Sequence, residues 1–350
     1  MRDRAHRRLV TGMITACALY TLALASWLCI TSSTYADGPV YKVKTVTEDW
    51  VDTARDGRPV PIKAYLPVDA PGPSPVVIFS HGLGGSREGY SYLGEFWASH
   101  GFISVHVQHL GSDDAVWRDQ PWYKRKRAMR RAVADTDNSL NRPVDVSFVI
   151  DRLEALDADA GSPWHEKLDL DRIGVAGHSY GAFTTLAIAG QVFVGRDGQP
   201  RSLADGRVKA AIAMSSQAPG DPETYDESYA QITIPIFHMT GTKDTSPIGL
   251  SKSPTDRRIA YDHTPGPADG GPDTYLLTFT GGDHMIFSGR RRTRLDRTGK
   301  SDKLFQQHIQ DASLAFWKAY LNDDESAREW LRGNGFRESL GDAGVFEVKQ

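Results

Sequence analysis

The chain has 350 residues, of which 40% are hydrophobic, 24% charged and 10% aromatic; this is the make-up of a globular protein with material for a large core, not of a disordered or fibrous one. With 41 basic against 44 acidic residues and a net charge of -3, it has no general attraction for nucleic acid. No repeat at solenoid or propeller spacing and no long low-complexity linker interrupts it.

The first 36 residues read differently from the rest. Arg2, Arg4, Arg7 and Arg8 precede an uncharged apolar run from Leu9 to Ile30, and Thr34, Tyr35 and Ala36 supply a cleavage step. That order predicts a signal peptide over 1–36 and an exported protein, periplasmic or extracellular; the run is also long enough to serve as an uncleaved membrane anchor. Both cysteines, Cys17 and Cys29, fall inside this segment, so the remainder of the chain has neither a disulfide nor a cysteine nucleophile. Residues 40–350 are expected to form a single catalytic domain.

Tyr41 to Val51 and Val60 to Leu66 have strand composition with Asp56-Gly57 between them, which predicts an antiparallel hairpin. Short apolar strands are expected at Val76–Phe79, Phe102–Val107, Ile173–Ala176, Val208–Met214, Ile234–Met239 and Tyr275–Phe279, each rich enough in Val and Ile to be buried on both faces. Between them, helical periodicity marks Glu88–Ser99, Val144–Leu156, Ala182–Ala189 and Leu304–Leu321. This alternation predicts a mostly parallel, doubly wound sheet with helices on both faces, whose ligands sit at the carboxyl ends of the strands.

The residues just past those strands carry the chemistry. After Ala176 comes Gly177-His178-Ser179-Tyr180-Gly181 and a helix, a sharp turn that exposes a serine hydroxyl. After Phe79 comes Ser80-His81-Gly82-Leu83-Gly84-Gly85, a glycine-rich turn that places the N–H of Leu83, together with that of Tyr180, to receive an oxyanion. A serine needs a base, and the base needs an orienting carboxylate. Asp244, after the strand ending at Met239, and His284, after the strand ending at Phe279, complete the chain order Ser, Asp, His. His263 is the alternative base, and Asp221 and Asp226 are the alternative acids.

Other candidates read less sharply. His81 and His178 are expected to be structural hydrogen-bonding residues around the two turns. His106, His109, Asp113 and Asp114 cluster after a strand but complete no recognised ligand spacing, so no metal is expected. The run Lys124-Arg125-Lys126-Arg127 with Arg130 and Arg131 is either a solvated helix face or a patch that meets an anionic lipid surface. Trp117, Trp122 and Tyr123 just before it either line an acyl pocket or form the core of an insertion.

On these residues the chain resembles the α/β-hydrolase superfamily, and within it the secreted esterases that include plasma-type platelet-activating-factor acetylhydrolases, dienelactone-hydrolase-like proteins and cutinase-like polyester hydrolases. Phe79-Ser80-His81-Gly82-Leu83-Gly84, Ala98-Ser99-His100-Gly101-Phe102, and Arg142-Pro143-Val144-Asp145-Val146 opening a helix are similar to the acetylhydrolases; the loops at Asp244 and His284 are similar to the cutinase-like group. The resemblance implies a serine esterase without cofactor, with a lipase or phospholipase or a cutinase-like polyester hydrolase as alternatives, acting on a small ester or lipid with peripheral membrane contact in the lipid case; a hydrolase fold without activity that serves as a binding module is the alternative from another class. Dienelactone hydrolases have a cysteine where this chain has Ser179, so that activity is not expected. Segments 110–140 and 245–273 exceed a minimal cutinase-like enzyme and imply a partly covered site.

Overall fold

In the computed structural model, which describes residues 40–194, 199–249, 251, 253–289 and 299–349, the chain begins with the expected hairpin. Strand β1 (Val43–Asp52) pairs antiparallel with β2 (Arg58–Pro67), and the turn closes because Asp56 and Gly57 adopt left-handed φ values of 52° and 72°. Next come β3 (Ser74–Ser80), α1 (Ser91–Ser99), β4 (Ile103–Val107), α2 (Ala115–Arg118), α3 (Trp122–Ala134), α4 (Thr136–Ala158), β5 (Leu168–His178) and α5 (Tyr180–Ala189). A small hairpin, β6 (Val192–Val194) with β7 (Pro200–Ser202), precedes β8 (Val208–Met214), α6 (Tyr225–Tyr229), β9 (Ile236–Lys243), α7 (Ile259–His263) and β10 (Thr274–Asp283). The chain closes with α8 (Gly299–Leu321), α9 (Glu325–Arg332), α10 (Gly335–Leu340) and β11 (Gly344–Val348).

Nine strands form one sheet in the order β1-β2-β4-β3-β5-β8-β9-β10-β11. The six from β4 to β10 are parallel, and antiparallel partners flank them on both sides. Because β4 lies on one side of β3 and β5 on the other, the direction of winding reverses at the β3/β5 pair. The loops leaving these two strands diverge and open a crevice between them.

Side-chain alternation sorts the strands' residues onto two faces. Val77 and Phe79 of β3 pack with Trp97 of α1 and Phe316 and Trp317 of α8, whereas Val76 and Ile78 pack with Val146, Val149 and Ile150 of α4. A Cβ at Gly174 would stand 2.7 Å from the Trp317 ring, so glycine there lets that indole lie against β5.

Three expectations change, and one is not reached. Helix α1 begins at Ser91 and not at Glu88, because Tyr90 takes a left-handed φ of 62°. Helix α4 begins at Thr136, where the Asp135 side chain caps the Asp137 N–H, so Arg142-Pro143 lies within the helix and does not open it. The sequence reading omits α9, α10 and β11; of β11, a five-residue edge strand, only Phe346 is buried. The leader reading, with its two cysteines, lies outside the described residues, among which no helix is long and apolar enough to cross a membrane.

Candidate active site

The residue after β5 is held in an unusual conformation. Ser179 has φ 58° and ψ −113°, a region costly for a residue with a side chain, and it is kept there by its own N–H donating to the Met214 carbonyl at 2.8 Å and by close backbone approach on both flanks. A Cβ at Gly177 would stand 2.3 Å from the Gly181 carbonyl oxygen, and one at Gly181 would stand 1.9 Å from that of Ser80. The two glycines therefore permit the turn, and the turn lifts the hydroxyl to the rim of the sheet.

His284 comes from just beyond β10 and sets its Nε2 3.0 Å from Ser179 Oγ. Its Nδ1–H donates to Asp244 Oδ1 at 2.7 Å, which fixes the tautomer that leaves Nε2 free to accept the serine proton. The ends of β9 and β10, from which acid and base project, lie close together, since a Cβ at Gly241 would stand 2.3 Å from the Gly282 carbonyl oxygen. Asp244 is fully buried; its other oxygen accepts the hydroxyls of Ser215 and, at 3.0 Å, Thr240. Burial pushes this carboxyl upward, but the His284 hydrogen bond and charge, Arg257 and Ser215 together outweigh it and hold the group below the usual carboxylate range. The acid stays ionised.

Arg257 has no counterpart in the sequence reading. Its guanidinium, fully buried, donates to the carbonyls of Asp244, Ser215 and Ser216 at 3.2, 3.3 and 3.1 Å and lies 3.3 Å from Asp244 Oδ1. It pins the acid loop to the end of β8. The signal available was its place in the 245–273 segment, where Arg257 and Arg258 stand side by side with nothing in the sequence to single out the first.

A cavity of about 640 Å³ opens over Ser179 and His284. Leu83, Tyr180 and Trp117 line it. Tyr180 is the first residue of α5, whose N–H lacks a helical acceptor. In the glycine turn, Gly84 and Gly85 donate to the carbonyls of Ser112 and Gly82, and Gly82 donates to the Tyr90 hydroxyl, which leaves the Leu83 amide without such an acceptor among the described residues. The Trp117 indole donates to the Gly84 carbonyl at 2.8 Å and so braces the turn. Met129 and Val133 of α3 and Pro247 and Ile248 supply further walls, and Arg130 Nε ties the two segments by donating to the Ile248 carbonyl at 2.7 Å.

The remaining candidates separate from this centre. Trp122 does not line the cavity: it is 82% exposed and packs edge-to-face on Tyr123, itself 64% exposed, because the start of α3 projects away from the body. Of the alternative base and acids, His263 and Asp226 bond to each other at 2.6 Å and Asp221 caps a 3-10 turn through the Glu223 N–H. His81 and His178 are buried and bonded within the turns, His178 through Tyr90 at 2.7 Å. Burial, followed by the nearby cations and imidazoles, pushes both well below the ordinary histidine range, so both are neutral. His106 bonds Gly89, His109 bonds Asp145, Asp113 accepts from Gln108, and Asp114 pairs with Arg118. Among the described residues no three metal-ligating side chains gather.

Comparison with known proteins gives two family matches. Residues 38–130 match the model for platelet-activating factor acetylhydrolase, isoform II, and residues 163–252, which include Ser179 and Asp244, match the model for serine hydrolase (FSH1). The chain is 25% identical over 313 residues to a platelet-activating factor acetylhydrolase of Cavia porcellus, covering 77% of this chain and 63% of that protein. It is 28% identical over 203 residues to the Bos taurus protein of the same name, covering 50% and 42%, and 26% identical over 194 residues to cutinase est2 of Thermobifida alba, covering 55% and 48%. The chain thus spans less than two thirds of the length of each of these relatives.

Proposed function

We propose that this chain, an α/β-hydrolase in fold and similar in sequence to acetylhydrolases and a cutinase, is a serine ester hydrolase that cleaves carboxylic esters through an acyl-enzyme on Ser179. One observation carries the reading: the unbroken relay from Asp244 through His284 to Ser179, with steps of 2.7 and 3.0 Å, at the floor of a cavity.

Ser179 Oγ attacks the ester carbonyl while His284 Nε2 takes its proton, and Asp244 stabilises the resulting imidazolium. The developing oxyanion rests on the N–H groups of Leu83 and Tyr180. Collapse expels the alcohol, which receives the proton from His284. Water, deprotonated by the same imidazole, then attacks the acyl-enzyme and releases the acid. Every step uses groups of the chain and water. Ser179→Ala is expected to abolish turnover of p-nitrophenyl butyrate without changing the melting temperature; retained turnover would refute the assignment.

The substrate we infer is a small ester or a short-chain or oxidised phospholipid, not a bulky polymer, because α3 and the 246–248 loop wall the cavity from two sides. A second observation favours the lipid variant. Helix α3 bears six cations and no acid, with Trp122 and Tyr123 exposed at its start, a pattern suited to a peripheral contact with anionic lipid. Charge reversal at Arg125 and Arg127 should weaken binding to phosphatidylserine vesicles; unchanged binding removes this variant. Export with removal of residues 1–36 belongs to the same proposal, and N-terminal sequencing of protein recovered outside the cytoplasm tests it.

A further inference from the structure

Behind the cavity lies a second serine, histidine and aspartate in relay. Ser80 Oγ is 2.9 Å from His109 Nε2, and His109 Nδ1 is 3.0 Å from Asp145 Oδ2, with all three side chains fully buried. Sealed from the cavity, this relay cannot reach a substrate. What it can do is orient a proton. Asp145 fixes the His109 tautomer with hydrogen on Nδ1, so Ser80 donates to Nε2 and turns its lone pairs outward. They face Arg142.

Arg142 is fully buried and makes no ion pair among the described residues. The carboxylate nearest in sequence, Asp145, is taken up by Arg55, Arg58 and His109. The guanidinium is instead spread over neutral groups. Nη2 donates to Ser80 Oγ at 2.9 Å and to the His81 carbonyl, Nη1 donates to Ser112 Oγ at 2.8 Å, and Nε donates to Thr184 Oγ1 at 2.9 Å. Its flat face covers the Tyr180 ring, 4.5 Å from the centroid. Burial draws its pKa down to about 10, which leaves it charged at neutral pH.

A buried charge held by no direct ion pair is a poor way to gain stability, since apolar packing of the same volume serves at least as well. Its partners suggest another reason. Ser80 and His81 lead directly into the turn that carries Leu83, and the Ser112 carbonyl holds the Gly84 N–H of that turn at 2.8 Å. Tyr180 opens α5 and Thr184 lies one turn further on, where its hydroxyl donates to the Tyr180 carbonyl at 3.1 Å. One planar fork therefore joins the two segments that supply the two amides assigned to the oxyanion.

We propose that Arg142 is a positioning residue for the oxyanion site, setting the spacing between the Leu83 and Tyr180 amides by binding both of their segments at once. The inference rests on the serine-hydrolase reading. It gives Arg142 an effect on the transition state that exceeds its effect on substrate binding, because donors in fixed positions act on the charge that develops during reaction.

The test compares wild type with Arg142→Lys and Arg142→Met on p-nitrophenyl butyrate, with butylboronic acid as a tetrahedral adduct on Ser179. Arg142→Met is expected to lower kcat roughly 100-fold while KM stays within about threefold, and to weaken the boronate in proportion to kcat/KM. Arg142→Lys should restore part of the loss. If Arg142→Met does not fold, as judged by its melting curve, Arg142→Lys and Thr184→Val decide the matter, the latter removing one anchor on α5; both should lower kcat and boronate affinity together. Folded variants with kcat within about threefold of wild type, or a loss confined to KM, overturn the inference. Turnover that survives Ser179→Ala would instead sink the esterase reading, so the two failures are told apart.

Discussion

Gly181→Ala offers a severe test of the turn that carries the nucleophile, because it adds one methyl group where the backbone has no room. The new Cβ would stand 1.9 Å from the Ser80 carbonyl oxygen and 3.0 Å from that of His81. An ordinary contact needs about 3.4 Å, so the start of α5 and the end of β3 must separate by more than about 1 Å, and both neighbours are backbone that cannot rotate away. Overpacking of this kind costs about 1–3 kcal/mol, a fall in melting temperature of roughly 2–4 °C for a chain of this size. The kinetic effect is larger. A displacement near 1 Å between nucleophile and oxyanion donors costs about 100-fold in rate. The assay is kcat/KM on p-nitrophenyl butyrate beside a melting curve, with Gly206→Ala as control, since a Cβ there meets nothing within 4 Å. Should Gly181→Ala keep kcat/KM within about threefold of wild type, close approach of α5 to the end of β3 is not what positions Ser179.

Asp244→Asn preserves shape but allows the imidazole the wrong tautomer, and a loss of about 10⁴ in kcat is expected from steady-state rates. Trp117→Ala removes a cavity wall and the donor to the Gly84 carbonyl and should raise KM and lower kcat on soluble esters, whereas Trp122→Ala should leave both unchanged. Acid stability follows Asp145, whose carboxyl burial pushes up but whose hydrogen bonds from His109 and Arg58 hold down at about 2 against an ordinary 3.8. A carboxyl held low in the folded state stabilises fully above the unfolded value and loses that contribution as pH falls. Melting temperature should therefore drop between about pH 4 and pH 2, and Asp145→Asn, less stable at neutral pH, should show a flatter slope across that window.

Much of the site was legible because its residues are local punctuation. The turn at Gly177-Ser179-Gly181 needs two glycines whatever surrounds it, and a strand end is marked by the last residue of an apolar run, so Asp244 and His284 could be found as the polar residues just beyond such runs. Trp117 and Trp122 stand out only as aromatics just before the basic run, and only Trp117 faces the cavity. The difference is rotational position on neighbouring short helices in an insertion, which no periodicity in so short a segment fixes. The C-terminal strand escaped for a related reason: Gly344–Val348 is stable as a strand only because β10 offers an open edge to pair with.

The sequence by itself determined the alternation of apolar strands and helices, the sharp turns, and the order of serine, acid and base along the chain, because each follows from composition within a few residues. Tertiary structure decided which buried charges matter. Arg142 and Arg257 are single arginines in a chain with many, and their partners lie 13 to 62 residues away in sequence, among them Ser80 at the end of β3, Thr184 on α5 and Ser215 just past β8. The stabilisation a guanidinium gives or costs depends on the carbonyls and hydroxyls around it, and only the folded sheet brings those together.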